Sequence, residues 1–456
     1  MKMNSVIFRE YDIRGVFEKD FDEDFAELLG RAYITHLRRE LKIENPTIAI
    51  GHDARLSGPA IAARLAKGVR ISGGNVVQLG LVTSPISYFA TFTLPNLAGA
   101  LMVTGSHNPP EYNGFKVSVG KTTIFGDQIK NLEEIILSGN FTEGQGTEES
   151  VDIFPSYVAR YREEFGKIPK IPVVLDCGNG AAGCVVRRLY ESMGLEPKIL
   201  FEEPDGRFPN HHPDPTVREN LDDLIHEVKR TGARVGIGFD GDADRIGVVD
   251  DQGQMIYGDE LLALCGRSIL ERSPGQKIIG DVKCSDRVFT YIEKYGGKPI
   301  MWKTGHSLVK EKIKIEKAPF GGELSGHIFF ADRNYGYDDA LYAGLRVVEI
   351  LAKTGKTISE LLADLPKSFN TPEIRIDTTE EKKHAIVQRL KSEFSSSASD
   401  YKVNLIDGIR VSFQNGWALA RASNTQPVLV LRFEANSEKN LASIRQKFET
   451  IINPML

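Results

Sequence analysis

Thr47-Ile-Ala-Ile-Gly-His-Asp53 has the pattern of a buried strand that ends in an acidic residue. A helical stretch follows, with apolar positions at Ile61, Leu65 and Val69, and a Gly-Gly pair at 73–74 then leads into a second apolar strand. Buried strands that alternate with helices are typical of parallel βαβ units. This stretch therefore predicts an α/β domain.

The same order of elements appears twice more along the chain. Val173–Asp176 leads through the glycine-rich stretch 177–183 into a helix, and Lys277–Asp281 leads into a helix and a Gly-Gly pair at 296–297. Three such units predict three similar α/β domains, each with a mixed, mostly parallel sheet. One large doubly wound sheet is the alternative, but loop-like stretches such as 141–150 separate the units and favour separate domains.

The last part of the chain changes pattern and predicts an α+β domain. The strands expected there are 373–377, 402–406, 409–413, 418–421 and 428–435, and the helices are 380–394 and about 439–451. Residues 366–372 look like a hinge before this domain. The predicted domains are 1–150, 151–253, 254–367 and 368–456.

Length and composition exclude several classes of protein. The 456 residues exceed what one hydrophobic core usually organises. A net charge of −5 gives no global positive field, so we expect neither nucleic acid nor a membrane as a partner. The N-terminus has no signal-peptide core, and no apolar run is long enough for a transmembrane helix. The 4 cysteines have neither disulfide nor zinc-site spacing and predict reduced thiols in a cytoplasmic protein.

A turn of small residues, Thr104-Gly-Ser-His-Asn-Pro-Pro110, directly follows the apolar run 97–103. Such a turn exposes Ser106 and leaves backbone N–H groups free to bind phosphate. His107 is adjacent in the chain, and adjacent residues rarely form a nucleophile–base pair. Thr104 stands where the nucleophile elbow requires its first glycine. Taken alone, this serine turn is equally well interpreted as an ordinary turn.

Three carboxylates crowd into an acidic loop at residues 236–245. They belong to Asp240, Asp242 and Asp244. Carboxylates this close repel one another unless a cation neutralises them. The loop does not fit an EF-hand calcium site, because Arg245 stands where that motif requires glycine and Asp251 where it requires glutamate. A compact oxygen site with room for phosphate suits Mg²⁺, so the loop predicts a magnesium site, with a solvated acidic turn as the alternative.

Two further loops carry polar side chains suited to a sugar phosphate. The glutamate loop, residues 321–327, places Glu323, Ser325 and His327 at alternate positions that can face a hydroxyl-rich ligand. The arginine loop, residues 421–425, combines a cation with small donors on a turn, which suits a phosphate clamp. A purely structural loop and a hairpin turn with an incidental arginine are the respective alternatives.

Together these loops resemble the α-D-phosphohexomutase superfamily, and more narrowly its bacterial phosphomannomutase/phosphoglucomutase branch. The matching segments follow the family's order along the whole chain: FREYDIRG (8–15), TGSHNPPEYNGFK (104–116), GFDGDADR (238–245), GGELSGH (321–327) and RASNTQPVLVLRFE (421–434). Gly105, Ala243 and Leu324 depart from the family pattern; Leu324 replaces the methionine usual in this branch. The resemblance implies four domains around a central cleft, each of which contributes one loop.

The resemblance also implies a role for each matching residue. Ser106 would carry the phosphoryl group and bind Mg²⁺ together with Asp240, Asp242 and Asp244. The residues that surround the transfer, and supply charge or move a proton, would be His107, Lys116, Arg245 and His327. Glu323 and Ser325 would hold sugar hydroxyls. The residues that grip the phosphate that is not reacting would be Arg421, Ser423, Asn424 and Thr425. The remaining matches that line the cleft are Tyr11, Arg14, Lys283 and His306.

The activity implied is interconversion of hexose 1-phosphate and hexose 6-phosphate, with mannose, glucose or both as the hexose. It would proceed through a phosphoserine and a hexose 1,6-bisphosphate, with Mg²⁺ as cofactor and glucose 1,6-bisphosphate as activator. The protein would be a cytoplasmic monomer or homodimer. The alternatives are a phosphoglucosamine mutase, a metal-dependent sugar phosphatase and a non-catalytic sensor of sugar phosphates.

Overall fold

The computed structural model describes residues 2–394, 400–423 and 427–456, and the strands of these residues form four separate sheets. The prediction of separate domains is therefore confirmed, and one large doubly wound sheet is excluded. No helix among the described residues is long and apolar enough to cross a membrane.

The first sheet has seven strands in the order β1-β5-β4-β2-β3-β7, with β6 paired to β5. The strands are β1 (Ile13–Val16), β2 (Thr47–His52), β3 (Asn75–Leu81), β4 (Leu97–Val103), β5 (Tyr112–Val119), β6 (Thr122–Thr123) and β7 (Glu148–Ser150). The helices are α1 (Glu23–Arg39), α2 (Gly58–Ile71), α3 (Ser84–Thr93) and α4 (Asp127–Ser138). Because β7 pairs with β3, the stretch 141–150 is partly an edge strand rather than only a loop.

The second sheet has five strands in the order β12-β11-β10-β8-β9. The strands are β8 (Val173–Asp176), β9 (Lys198–Leu200), β10 (Val235–Phe239), β11 (Ile246–Asp250) and β12 (Met255–Ile256). The helices are α5 (Phe154–Phe165), α6 (Val186–Ser192) and α7 (Asp222–Thr231).

The third sheet has four strands in the order β14-β13-β15-β16. The strands are β13 (Lys277–Asp281), β14 (Lys298–Trp302), β15 (Phe320–Gly322) and β16 (Ile328–Phe330). The helices are α8 (Gly258–Arg272), α9 (Asp286–Lys294), α10 (His306–Glu316), α11 (Ala340–Thr354) and α12 (Ile358–Leu361).

The first three sheets contain one repeated unit of three parallel strands and a fourth antiparallel strand. It is β3-β2-β4-β5 in the first sheet, β9-β8-β10-β11 in the second and β14-β13-β15-β16 in the third. The serine turn joins β4 to β5, the acidic loop joins β10 to β11, and the glutamate loop joins β15 to β16. The three loops therefore occupy equivalent places in three domains.

The fourth sheet is antiparallel throughout, in the order β17-β22-β21-β20-β19, with β18 on β22. The strands are β17 (Phe369–Asn370), β18 (Ile374–Asp377), β19 (Tyr401–Asn404), β20 (Ile409–Phe413), β21 (Gly416–Ala422) and β22 (Val428–Ala435), and the helices are α13 (Glu380–Glu393) and α14 (Glu438–Ile452). β17 lies within the predicted hinge 366–372 and pairs with β22, so that segment also belongs to the last sheet.

The sequence dictates the close crossing of α1 and α2 through two glycines. A Cβ on Gly68 would stand 1.9 Å from the carbonyl oxygen of Glu27, and one on Gly30 would stand 2.4 Å from that of Leu65. Only residues without a side chain allow the two backbones to approach this closely. The helices thereby seal one face of the first sheet, where Ile48, Ile50 and their neighbours form a buried core.

Candidate functional site

Ser106 lies at the tip of the serine turn in the left-handed backbone region, with φ of 51°, and is only 2% exposed. Its Oγ donates to Asp240 Oδ2 at 2.9 Å and lies 3.3 Å from Nδ1 of His107. The prediction of an exposed serine is wrong, because the acidic loop of the second domain covers the turn. The adjacent His107 does contact the serine, contrary to the expectation for neighbouring residues.

Two residues that the sequence analysis missed, Asp53 and Arg55, hold the serine turn in place through hydrogen bonds. Asp53 Oδ2 accepts from Thr104 Oγ1 at 2.7 Å and from the backbone N–H of Gly105 at 3.2 Å. Arg55 is paired with Asp53, and its guanidinium donates to four carbonyl oxygens of the turn and its exit, those of Ser106, Asn108, Pro109 and Tyr112. The sequence feature that could have identified them is an acid and an arginine two positions apart directly after β2, at the carboxyl edge of the sheet.

The acidic loop is compact and buried. Its backbone closes through Asp240 Oδ1, which accepts from the N–H groups of Asp244 at 3.0 Å and Arg245 at 3.1 Å. Ala243 has a φ of 60°, in the left-handed region. The carboxylates of Asp240, Asp242 and Asp244 are at most 1% exposed and offer ligand atoms within 4.8 Å of one another.

Lys116 on β5 reaches across from the first domain to this loop. Its Nζ donates to Asp242 Oδ2 at 2.5 Å and also to Asp244 Oδ2. Ser84, at the start of α3, donates to Asp242 Oδ2 at 2.5 Å. These contacts tie the first two domains together through charge-assisted hydrogen bonds, which are the stronger class.

The acids of the loop have opposite tendencies to ionise. Burial, followed by the negative charges of Asp242 and Asp244, raises the pKa of Asp240 well above its usual value. Burial also opposes ionisation of Asp244, but Lys116, His327 and Arg245 outweigh it and hold its pKa well below the usual value. Crowded carboxylates of this kind invite a cation.

The donor set fits a hard divalent cation. The buried atoms Asp242 Oδ1 and Asp244 Oδ1 have no hydrogen-bond partner among the described residues, and Ser106 Oγ is directed at Asp240. Carboxylate and hydroxyl oxygens are the ligands that Mg²⁺ prefers. An acidic triad that could hold a metal ion is therefore present, as the sequence predicted.

The glutamate loop of the third domain meets the acidic loop edge to edge. The backbone N–H of Ile246 donates to the Gly326 carbonyl oxygen at 3.0 Å, and Arg245 Nε donates to His327 Nε2 at 3.3 Å. A Cβ on Gly326, whose φ is 84°, would stand 2.6 Å from the Ile246 carbonyl oxygen. Glycine is therefore required where the two loops touch.

Glu323 is fixed at the centre of the glutamate loop. Its Oε1 accepts from the backbone N–H of Gly305 at 2.6 Å, and its Oε2 lies 3.0 Å from Nδ1 of His327. Ser325 Oγ is 3.3 Å from the same histidine nitrogen. The three residues predicted at alternate positions are thus brought together.

A buried carboxylate that the sequence analysis missed lies behind this loop. Asp338 Oδ1 accepts from Lys310 Nζ at 2.9 Å, while Oδ2 lies 3.5 Å from His306 Nδ1 and 3.9 Å from His327 Nε2. Asp338 follows β16 by several residues and carries no local motif, so only the fold could identify it.

Two residues of the N-terminal segment contact the first and third domains near these loops. The Tyr11 hydroxyl donates to the Thr304 carbonyl oxygen at 2.9 Å, which connects the first domain to the third. Arg14 donates to Asp12 at 2.5 Å and lies 3.5 Å from the Asn108 side-chain oxygen beside the serine turn.

Two cations where the third and fourth domains meet, Lys283 and Arg421, are each paired with an acid. Lys283 donates to Glu373 at 3.1 Å, and Arg421 Nε donates to Asp407 Oδ2 at 3.1 Å. Asp407 also accepts from the backbone N–H of Thr304 at 3.0 Å, which links the arginine loop to the third domain. Ser423 is buried, and Asn424 and Thr425 lie outside the described residues.

The histidines differ in charge preference. Burial, followed by the nearby cations Arg245 and Arg14, lowers the pKa of His107 well below its usual value, so this imidazole is neutral at pH 7. Burial opposes protonation of His327 as well, but Asp244 and Glu323 outweigh it and raise its pKa. Histidines with such opposed tendencies can act as a proton acceptor and a proton donor.

Comparisons with known proteins agree with this architecture. Models of the phosphoglucomutase/phosphomannomutase family match the chain in four parts: alpha/beta/alpha domain I at residues 5–143, domain II at 155–253, domain III at 257–369 and the C-terminal domain at 373–451.

Relatives match over nearly the whole chain. A phosphomannomutase/phosphoglucomutase of Pseudomonas putida is 46% identical over 97% of this chain and 95% of its own length. A phosphoglucomutase of Neisseria gonorrhoeae is 42% identical over 99% of this chain and 98% of its own. A crystal structure of a phosphoglucomutase/phosphomannomutase family protein from Burkholderia thailandensis, 42% identical, matches with a TM-score of 0.92 over 99% of this chain and 98% of that one. The chain therefore belongs to the phosphoglucomutase/phosphomannomutase family.

Proposed function

We propose that this chain is a phosphohexomutase that interconverts hexose 1-phosphate and hexose 6-phosphate through a phosphoserine at Ser106 and a hexose 1,6-bisphosphate. The observation that carries the proposal is that the serine turn and the glutamate loop, which occupy equivalent places in two domains, both contact the acidic loop of a third domain. Ser106 Oγ is 2.9 Å from Asp240, and Lys116 and His327 both reach Asp244 of the same acidic loop.

In the first half-reaction the bond between phosphorus and Ser106 Oγ breaks as phosphorus bonds to a sugar hydroxyl oxygen. That hydroxyl loses its proton, and the serine oxygen regains one. In the second half-reaction the other phosphate of the bisphosphate returns to Ser106. His107, which is neutral and lies 3.3 Å from Oγ, is placed to take the serine proton. His327 is our candidate for the residue that exchanges a proton with the sugar hydroxyl.

Transfer of a phosphoryl group needs alignment and positive charge more than covalent help. Lys116 donates to Asp242 of the acidic loop and the Arg245 side chain donates to His327, so two cationic side chains lie among these loops. Asp240, Asp242 and Asp244 would hold Mg²⁺ together with the serine phosphate, and the bound ion supplies further positive charge at the phosphoryl oxygens. Burial of Ser106 at 2% exposure supports the exclusion of water, which would otherwise hydrolyse the phosphoserine.

A second phosphate site lies on the other side of the cleft. Arg421, Ser423, Asn424 and Thr425 would grip the phosphate that is not reacting, with Tyr11, Arg14, Lys283 and His306 along the cleft wall. The intermediate must turn over so that each of its phosphates meets Ser106 once. Movement of the fourth domain about the segment 366–372 would open the cleft for this step.

This second site distinguishes a mutase from the alternatives. A sugar phosphatase needs the serine and the acidic loop but no remote phosphate clamp. Ser106 and all three acids of the triad are present, and a sensor of sugar phosphates that does no chemistry needs neither. The relatives named as mutases of mannose and glucose phosphates, rather than of glucosamine phosphate, disfavour a phosphoglucosamine mutase.

Mannose and glucose phosphates should be used with similar efficiency. Glu323 and Ser325 would hold the C3 and C4 hydroxyls, which the two sugars share, and no residue is assigned to the C2 hydroxyl. A site that makes no hydrogen bond to a group discriminates by it only weakly, so we expect ratios within about tenfold. Leu324, between the two sugar-binding residues, is the position that could change this preference.

The test is conversion of glucose 1-phosphate, mannose 1-phosphate and glucosamine 1-phosphate by the purified protein with Mg²⁺ and glucose 1,6-bisphosphate as activator. We expect 6-phosphates of glucose and mannose with comparable kcat/KM. Release of inorganic phosphate without isomerised sugar would contradict the mutase, and exclusive use of the glucosamine substrate would contradict the sugar assignment. The cytoplasmic location and the monomer or homodimer are part of the same proposal, to be checked by fractionation and by light scattering.

A further inference from the structure

We propose a second metal site, for a transition-metal dication such as Zn²⁺, formed by Asp244, His327 and Asp338 beside the acidic triad. This proposal rests on the proposed magnesium site only in that the two sites share Asp244. The new site lies between the second and third domains, whereas the triad belongs to the second domain alone.

The spacing of the ligand atoms fits tetrahedral zinc. His327 Nε2 lies 3.4 Å from Asp244 Oδ1 and 3.9 Å from Asp338 Oδ2, and the three residues offer ligand atoms within 4.8 Å of one another. With metal–ligand bonds of about 2.1 Å, two ligands of a tetrahedron stand about 3.4 Å apart. Small side-chain adjustments therefore bring all three atoms into the first coordination sphere, with one position left for a further ligand.

Unpartnered buried atoms point into this space. Asp244 Oδ1 and Asp338 Oδ2 have no hydrogen-bond partner within the described ranges, and both side chains are at most 1% exposed. A buried carboxylate oxygen without a partner is costly unless something binds it. His306 Nδ1, 3.5 Å from Asp338 Oδ2, is also unpartnered in this part of the chain and borders the same space.

The surroundings of His327 are those of a metal ligand. Its Nδ1 faces the Glu323 carboxylate at 3.0 Å, which leaves Nε2 directed at Asp244 and Asp338. Histidines that bind metals almost always donate their other ring N–H to a carboxylate or carbonyl in this way. An imidazole nitrogen among the donors favours Zn²⁺ over Mg²⁺, which prefers oxygen alone.

Occupation of this site would inhibit the enzyme. The metal would take the Nε2 lone pair of His327, which now accepts from Arg245 Nε at 3.3 Å. It would thereby withdraw a proposed proton carrier and release a proposed phosphoryl-binding cation. Zinc should therefore inhibit in a way that added Mg²⁺ does not relieve, unlike simple replacement of Mg²⁺ in the triad.

The decisive experiment is anomalous diffraction at the zinc edge, on crystals of the full chain grown with Mg²⁺ in excess and Zn²⁺ added. We expect a zinc peak between Asp244, His327 and Asp338. Asp338→Asn should lose this peak, and its zinc inhibition at saturating Mg²⁺ should weaken at least about tenfold. Asp242→Asn is the matched control, because Asp242 belongs to the triad and not to the proposed second metal site, and its crystals should keep the second peak.

A zinc peak confined to the triad in the wild-type crystals, or no zinc peak at all, would overturn the proposal even if Asp338→Asn fails to fold. Inhibition that excess Mg²⁺ relieves completely would also contradict it. The diffraction result does not depend on turnover, so failure of the second metal site and failure of the mutase function are separate outcomes.

Discussion

Gly241 of the acidic loop lies against Ser106 of the serine turn, so closely that a Cβ on Gly241 would stand 2.4 Å from the Ser106 carbonyl oxygen. This contact joins two domains at the proposed phosphoryl carrier. It sets the distance between Ser106 and the acids that would hold the metal, and a side chain at 241 has to push the two loops apart.

Gly241→Ala should therefore lower kcat/KM by about 100-fold while the protein stays folded, because a displacement near 1 Å at a reacting centre costs about that much. The matched control is Gly266→Ala in α8, where the nearest atom to the added Cβ is 3.8 Å away. Steady-state kinetics and thermal melting check both variants. Activity of Gly241→Ala within about twofold of wild type would show that the contact does not position the site.

Arg55→Lys should both destabilise the protein and slow it. Lysine keeps the charge next to Asp53 but cannot supply the fork that reaches four carbonyl oxygens of the turn. Breaking such a buried charged network costs about 3 kcal/mol in the free energy of unfolding, measured in urea. The control is Arg64→Lys, whose exposed pairs with Asp24 and Glu27 should contribute less than about 1 kcal/mol. Equal effects at the two arginines would contradict the role given to Arg55.

Ser106→Ala should still bind sugar phosphate yet lose mutase activity by several orders of magnitude, the scale seen when one member of a catalytic unit is removed. Intact-mass measurement should find a phosphoryl-sized addition in the wild type and none in the variant. Ser192→Ala, which removes a hydroxyl that only bonds within its own helix, is the control. Retained turnover in Ser106→Ala would show that another residue carries the phosphoryl group.

Chelation should abolish activity, and Mg²⁺ should restore it. Asp242→Asn should raise the Mg²⁺ concentration needed for half-maximal activity, because it lowers the charge of the ligand set. Asp205→Asn, at a carboxylate that pairs with Arg207 outside the acidic loop, should leave the Mg²⁺ dependence unchanged. Full activity in excess chelator would remove the metal from the proposed mechanism.

Asp339 should make stability depend on pH in the acid range. Burial raises its pKa from 3.8 to about 6, against the opposing hydrogen bonds from Tyr161, Tyr157 and the Tyr342 backbone. The pKa of Asp339 is higher in the folded protein than in the unfolded chain. Its contribution to the free energy of unfolding is therefore fully present below pH 3.8 and is lost as the pH rises through about 6. The difference in unfolding free energy between wild type and Asp339→Asn should fall by on the order of 3 kcal/mol from pH 4 to pH 7.

The comparison with Asp339→Asn cancels the groups that titrate alike in both proteins. Urea unfolding of the two proteins at several pH values gives the difference directly. A difference that stays constant from pH 4 to pH 7 would show that Asp339 ionises in the folded protein as it does in the unfolded chain.

The sequence by itself determined the local elements and the loops that carry polar side chains. Strand and helix periods identified β2, β8 and β13 as the first strands of three similar units, because apolar period and glycine positions are local properties. The four loops were identified by their polar residues and their order along the chain, since each of them taken alone also fits a structural turn. The domain boundaries remain predictions of this kind.

Only the tertiary structure decided which of these residues meet. Ser106 is buried, although its turn alone predicted exposure, because a loop from another domain covers it. Lys116 reaches Asp242 and Asp244 across 126 and 128 residues of chain, and Asp338 reaches His306 and His327 without any motif of its own. Such contacts depend on how whole sheets stack, and no periodicity within a segment encodes that. The contacts of the serine turn and the glutamate loop with the acidic loop are likewise a property of the packed domains.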